Sequence, residues 1–383
     1  MSATVALVAC EGYDEEKVYE AVKWGVDALG GPAAFVKPEE KVLLKPNLLG
    51  KQPPQMAVTT HPAVFGAVAR LLREQGCADI SYGDSPGNPN ATPRSAAEGS
   101  GLAEMAGRYG LRRADFDSGS PVRYDGKKRR SFVLCRGVQQ ADAVINIAKM
   151  KTHALERITG AVKNLYGCIW GVNKSAGHVR YPNSWVFADM LADLQKCVAP
   201  RLHILDGITA MEGNGPTSGT PTPMNVLLLS ADPVALDSVF AALVYLESAQ
   251  VPTCEAGYRA GLGEMRPEHI RVVTPQGEIT VAQAQKSYGR ADFDVFRGPM
   301  KRSLLAKLFP LLPRLQSRPV VDKSKCIACG LCEKACPVPE KAVHSGHGQK
   351  ARYDYSKCIR CYCCQEMCPA KAIRVQRGRL GGK

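Results

Sequence analysis

No stretch of this 383-residue sequence approaches the roughly 20 continuous apolar residues that a membrane-spanning helix needs. TVALVAC (4–10) and NVLLLSA (225–231) are only strand-length. The first residues, MSATVALVACEGYDEE, lack the basic segment and long apolar core of a secretory signal. No Walker A sequence occurs and no G-x-G-x-x-G follows the first strand candidate, so neither nucleotide fingerprint applies. Cysteine pairs spread along a short chain, the mark of a secreted disulfide scaffold, are also missing. With 45% hydrophobic and 22% charged residues, wholesale disorder and a fibrous protein are excluded as well. The expectation is a soluble, cytoplasmic protein of two or so domains, at roughly 150 residues each.

Acidic charge is in short supply. Fifty Lys+Arg against 36 Asp+Glu leave a formal charge of +14, which suits an acidic partner or an anionic substrate. Nucleic acid would also be served by a basic surface. The main basic run, however, is KKRR at 127–130, which reads as a solvated hairpin, so that class ranks last.

What is abundant is cysteine, and it is unevenly placed. Six of the 15 are scattered before residue 255, and nine are packed into residues 326–368. Cys326-x2-Cys329-x2-Cys332-x3-Cys336-Pro337 is followed by Cys358-x2-Cys361-x2-Cys364-x3-Cys368-Pro369. Three thiolates at spacing three wrap one face of a four-iron cubane, and the fourth, beside a proline, reaches the partner cluster. That crossed logic gives one [4Fe-4S] cluster Cys326, Cys329, Cys332 and Cys368, and the other Cys358, Cys361, Cys364 and Cys336. Zinc sites use paired C-x2-C units or histidines instead. Cys363 fits neither set and reads as a small neighbouring thiol. At about −2 per oxidised cluster, the loaded protein would carry about +10. Residues 319–383 resemble the bacterial two-cluster ferredoxins, which implies single-electron transfer with a redox partner protein.

Upstream, strand and helix patterns alternate. TVALVAC precedes a helix capped by Asp14 with Val18, Val22 and Val26 on one stripe; KVLLKPN (41–47) precedes a helix opening at Pro62. ADISYGDS (78–85), ADAVINIAK (141–149), RLHILDGI (201–208) and NVLLLSA follow as further strands, with helical patterns at 184–198 and 233–246. The expected fold is α/β, a mostly parallel sheet with helices on both faces, followed by a small α+β dicluster ferredoxin domain. The domains are placed at 1–296 and 319–383. Residues 297–318, basic and leucine-rich but broken by Pro310 and Pro313, read as a linker in preference to a membrane-surface helix.

Polar residues of the large domain gather at KPN (45–47), GDSPG (83–87), KMKTH (149–153), TGAVKN (159–164) and DGITAMEGNGP (206–216). Ligands of open parallel sheets bind beyond the carboxyl ends of strands. KPN, GDSPG, KMKTH and DGITAMEGNGP each follow a strand candidate, so they are expected to converge on one crevice. With DPVALDSV (232–239) and TGAVKNLYG, these segments resemble the domain-of-unknown-function family 362, in its branch with a C-terminal ferredoxin. The resemblance extends over most of residues 1–290 and implies an iron–sulfur protein.

Chemistry assigns the roles. Lys45, Lys149, Lys151 and Lys163 make a cationic floor for a carboxylate or phosphate, although each alone reads as a solvated surface lysine. His153 is the first acid–base choice, against a structural histidine satisfied by a carbonyl; His178 is the second. Asn47 and Asn164 position a substrate. Asp84, Asp206, Glu212 and Asp237 can orient the lysines or hold a hard divalent cation, with turn and cap bonding the stronger reading for each. Catalysis is assigned to His153, Lys151 and Lys163, and substrate binding to Lys45, Asn47, Asp84, Lys149, Asn164, Asp206 and Glu212. The function so read is an iron–sulfur oxidoreductase passing electrons to a small anionic substrate or an unidentified second cofactor. A non-catalytic docking or assembly subunit is the alternative.

Overall fold

The computed structural model describes residues 3–377, except residues 89, 128, 172, 182, 299–316 and 347. The linker expected at 297–318 therefore lies almost entirely outside the described residues.

A ten-stranded sheet organises the large domain. Its order is Gly277–Ile279, Ile270–Thr274, Ala3–Ala9, Thr220–Ser230, Leu202–Glu212, Ala143–His153, Val42–Pro46, Ile80–Tyr82 and Arg112–Arg113, with Arg157–Thr159 paired to the 143–153 strand off this path. The run from 202–212 through 143–153, 42–46, 80–82 and 112–113 is parallel, and the 220–230 strand runs against both of its neighbours. Alternate side chains feed two cores, as the period of two requires. Ala6, Val8, Leu44 and Ile147 face the helices Glu15–Asp27 and Pro62–Glu74. Val5, Leu7, Leu43 and Ala148 face Ser184–Val198 and Pro233–Leu243. Asp14 caps the first helix by accepting from Lys17 N at 3.0 Å, and Pro62 occupies the first turn of the second.

Two strands run further than their apolar runs suggest. KMKTH does not follow its strand but lies within it, and Asp206–Glu212 are likewise inside the 202–212 strand. Their partners explain it. Lys149 sits opposite Asp206, so buried charge is matched across the ladder, and the register then shifts so that Lys151 faces Met211. A second shift of register lies between Pro223 and Val226 on the neighbouring strand.

The C-terminal domain is built from the antiparallel pairs Arg318–Val321 with Ile373–Gln376 and Val343–Gly346 with Gln349–Tyr353. Two short helices, Leu331–Ala335 and Cys363–Glu366, complete it. It is fastened by the loop after the 202–212 strand. Asn214 Nδ2 donates to Ile373 O at 2.9 Å and Thr217 Oγ1 to Glu366 O at 2.7 Å. The fully buried Gln365 donates to Asn214 O at 2.8 Å.

Candidate functional site between the two domains

Alternation along 143–153 turns Lys149, Lys151 and His153 to one face, yet their surroundings differ. Lys149 Nζ is 2.7 Å from Asp206 Oδ2 and 2.8 Å from the Tyr13 hydroxyl, which itself donates to Asp206 Oδ1 at 3.0 Å. Tyr13 stacks on His61 at 3.5 Å, and neither Lys149 nor Asp206 has exposed side chain. Burial lowers the lysine pKa against the pull of Asp206. This closed group does not line the crevice in which Lys149 and Asp206 were expected; the longer strands carry them beneath its floor. Glu212 is displaced too, accepting from Asp294 N at 2.9 Å at the sheet end.

Lys45 and Asp84 form a second buried pair at 2.9 Å. The carboxylate also accepts from Leu48 N at 2.7 Å and Ser85 N at 2.9 Å, so GDSPG is a turn that holds its acid against the lysine. Gly167 must be glycine here, since a Cβ would stand 1.8 Å from Asp84 Oδ1. Asp237 caps the turn Ala161–Asn164, accepting from Ala161 N at 2.6 Å and Val162 N at 3.1 Å. The four acids are thus engaged separately. Among the described residues no three His, Cys, Asp or Glu side chains converge on a single-ion site.

A cavity of about 150 Å³ lies over this floor, a size that takes up a benzene-like molecule. Of the expected residues it brings together Asn47, Asp84, Lys151, His153, Lys163 and Asn164. Lys151 donates to Asn47 Oδ1 at 2.6 Å and Val58 O at 2.7 Å, and burial drives its pKa well down. Lys163 is different. Its ammonium stands 5.0 Å over the Tyr166 ring and 5.7 Å over Phe187 and makes no hydrogen bond among the described residues. His153 Nδ1 accepts from Leu155 N at 3.1 Å and Glu156 N at 3.2 Å, which leaves the proton on Nε2, 3.3 Å from Glu366 Oε1. Burial favours the neutral ring.

Sequence reasoning passed over Lys174, Tyr166 and the roof, and ranked His178 second. Lys174 donates to Ser85 O, its pKa lowered by burial to about 8. Burial brings His178 to about 4, and its Nδ1 has no hydrogen-bond partner among the described residues. The roof is supplied by the C-terminal domain through Lys334, Cys363, Glu366 and Met367. Aligning the two cysteine repeats offers the missing signal: Cys363 occupies the place of Leu331, and Glu366 that of Lys334. The surplus thiol lines the cavity and lies against Cys361 of the second cysteine set.

Two small cavities lie inside the C-terminal domain. One is lined by Cys326, Cys329, Cys332 and Cys368, the other by Cys336, Cys358, Cys361 and Cys364. Backbone N–H groups point at the sulfurs, Ala351 N at Cys326 (3.4 Å), Ala342 N at Cys336 (3.4 Å) and Ala372 N at Cys368 (3.2 Å). The first x-x-C turn of each repeat is left-handed, at Ala328 (φ 55°) and Arg360 (φ 59°), which turns the chain back around its cavity. Four soft sulfur donors per cavity with amide donors behind them suit an iron–sulfur cluster.

Residues 42–242 match the family described as Domain of unknown function (DUF362), over half of the chain. The chain belongs to the DUF362 family. Residues 318–369 of this DUF362 protein match a 4Fe-4S dicluster domain, so it is an iron–sulfur protein with an electron-transfer domain. A thylakoid-associated protein of Synechocystis sp. is 36% identical over 284 residues, covering 73% of the DUF362 chain and 87% of that protein. Among solved structures, the lactate racemase apoprotein of Thermoanaerobacterium thermosaccharolyticum overlaps 60% of the chain and 54% of its own, at 11% identity and a TM-score of 0.39. No helix among the described residues is long and apolar enough to cross a membrane.

Proposed function

We propose that the protein is an oxidoreductase that passes single electrons from two [4Fe-4S] clusters to a small anionic molecule held in the interdomain cavity. Cys326, Cys329, Cys332 and Cys368 hold one cluster and Cys358, Cys361, Cys364 and Cys336 the other, and each supplies one electron at a time when bound. The observation that carries the reading is the cavity's construction: its floor is the lysine-bearing end of the central 143–153 strand and the turn after it, and its roof is the loop around Cys363. A docking subunit would have no need of a cavity lined by Lys151, Lys163 and Lys174 at that junction.

Lys163, which makes no hydrogen bond among the described residues, is the anchor for the substrate's negative charge. Lys151, fixed by Asn47 and pushed by burial toward its neutral form, offers an N–H donor beside it, and Asn164, whose Nδ2 is given to Asn146, offers its Oδ1 as an acceptor for a substrate hydroxyl. Lys45 and Asp84 brace the floor without touching the ligand. Neutral His153 keeps its proton on Nε2 at the roof and can offer it as a hydrogen bond to charge accumulating on the substrate. Tyr166, Pro216 and Met367 exclude water from the remaining walls.

The test is anaerobic reoxidation of dithionite-reduced holoprotein by a panel of small carboxylates, read from cluster absorbance. Lys163→Met is expected to keep wild-type iron, sulfide and paramagnetic signals and to slow reoxidation by an active carboxylate at least about a hundredfold. Unchanged reoxidation in that variant, or no carboxylate acting on the wild type, would overturn the proposal.

A further inference from the structure

The two cysteine sets differ in how they meet solvent. Cys336, Cys361 and Cys364 are buried and Cys358 is half-buried, whereas Cys329 of the other set is exposed, with Cys326 and Cys368 half-buried. Between Cys326 and Cys329 stands Ile327, 65% exposed and the most exposed large apolar side chain among the described residues. One exposed isoleucine is ordinary. Its setting is not, because it forms the outer wall of a cavity lined by four cysteines.

Cations surround it. Lys323 and Lys325 are exposed on the approach to Cys326, and Lys350 is exposed beside them, its Nζ donating to Lys323 O at 2.8 Å. The nearest acid in the chain, Asp322, is turned back on its own loop and accepts from Ser324 N at 2.9 Å and from the Ser324 hydroxyl. Glu333, on the following helix, is likewise committed, to Ser345 N at 2.7 Å and to His344. An apolar tip over a cysteine-lined cavity, ringed by lysines that make no salt bridge among the described residues, has the form of a transient electron-transfer contact. Small area allows fast release, and charge steers the encounter.

We propose that Ile327, Ala328 and Cys329, flanked by Lys323, Lys325 and Lys350, dock an acidic one-electron carrier protein. Such a carrier meets the cluster set farther from the substrate cavity, while the set next to Cys363 serves the cavity. The assignment rests on the cysteine sets holding clusters and not on any substrate.

Calorimetric titration of the anaerobic holoprotein with an acidic [2Fe-2S] ferredoxin tests it. Wild-type affinity is expected to fall steeply between ~50 and ~300 mM salt. Ile327→Ser and the double variant Lys323→Glu/Lys325→Glu are each expected to weaken binding about tenfold and to slow cluster reduction by the ferredoxin to match. Iron content and reduction by dithionite should stay as in the wild type. Wild-type affinity in both variants, equal binding of a basic cytochrome c, or no binding of the acidic carrier at all would overturn the proposal. Because the readout is carrier binding, failure here leaves the carboxylate experiment intact, and the reverse also holds.

Discussion

Lys149 and Lys163 show how surroundings, not residue type, decide what a lysine does. Lys149 is spent on Asp206 and Tyr13 in a sealed group, whereas Lys163 makes no hydrogen bond among the described residues; burial lowers its pKa, against the pull of Glu366 and Glu156. Removing one partner of a buried pair strands the other, at a cost of roughly 3–5 kcal/mol. Asp206→Ala should therefore destabilise the protein by about that much in denaturant titration. Lys163→Met, by contrast, should leave stability within about 1 kcal/mol of wild type. His203 offers a pH test. It lies fully buried between the side-chain amides of Asn146 (2.9 Å) and Gln195 (3.2 Å), and burial lowers its pKa to about 3. An unfolded histidine takes its proton near 6.5, about three units earlier. Above that pH neither state is charged. As pH falls from about 6.5 toward 3, the unfolded chain binds a proton that the native one refuses, so stability drops. The melting temperature of His203→Gln should accordingly fall less over this window than that of the wild type; equal slopes would contradict the assignment.

The helix Pro233–Leu243 reaches the site without touching it. Its Asp237 ties down the N-terminus of the turn that carries Lys163 and Asn164, and Gly160 permits the approach, a Cβ there lying 2.0 Å from Asp237 Oδ1. Asp237→Ala should cost about 1–2 kcal/mol, the range for a lost cap. Carboxylate-dependent reoxidation should fall further than that loss of stability explains, with iron content unchanged. Much at this scale could be read from periodicity and caps. Asp14 and Pro62 open their helices where expected, and KPN and GDSPG do end strands. KMKTH was misplaced because lysine inside a central strand contradicts every local preference, and only the partner across the ladder makes it tolerable. No window of one strand contains that information.

For the molecule as a whole, the cysteine repeats declared an iron–sulfur domain without help from the fold. The cavity could not be foreseen in the same way, because half of it belongs to that second domain. Lys163 and Glu366 lie far apart in sequence and meet only because Asn214, Thr217 and Gln365 clamp the ferredoxin-like domain onto the sheet. Cys363 had no function to offer until the clamp placed it in the roof. The same arrangement fixes an order: a solvent-facing cysteine set with an exposed rim, a buried set, then the lysine-floored cavity.

That order depends on iron standing where the thiols converge, and anomalous diffraction at the iron edge from crystals of anaerobically purified protein measures it directly. The account predicts two four-iron peaks, one among Cys326, Cys329, Cys332 and Cys368 and one among Cys336, Cys358, Cys361 and Cys364, with no iron at Cys363. A single metal ion, an uncrossed set of ligands, or iron bound by Cys363 would contradict it.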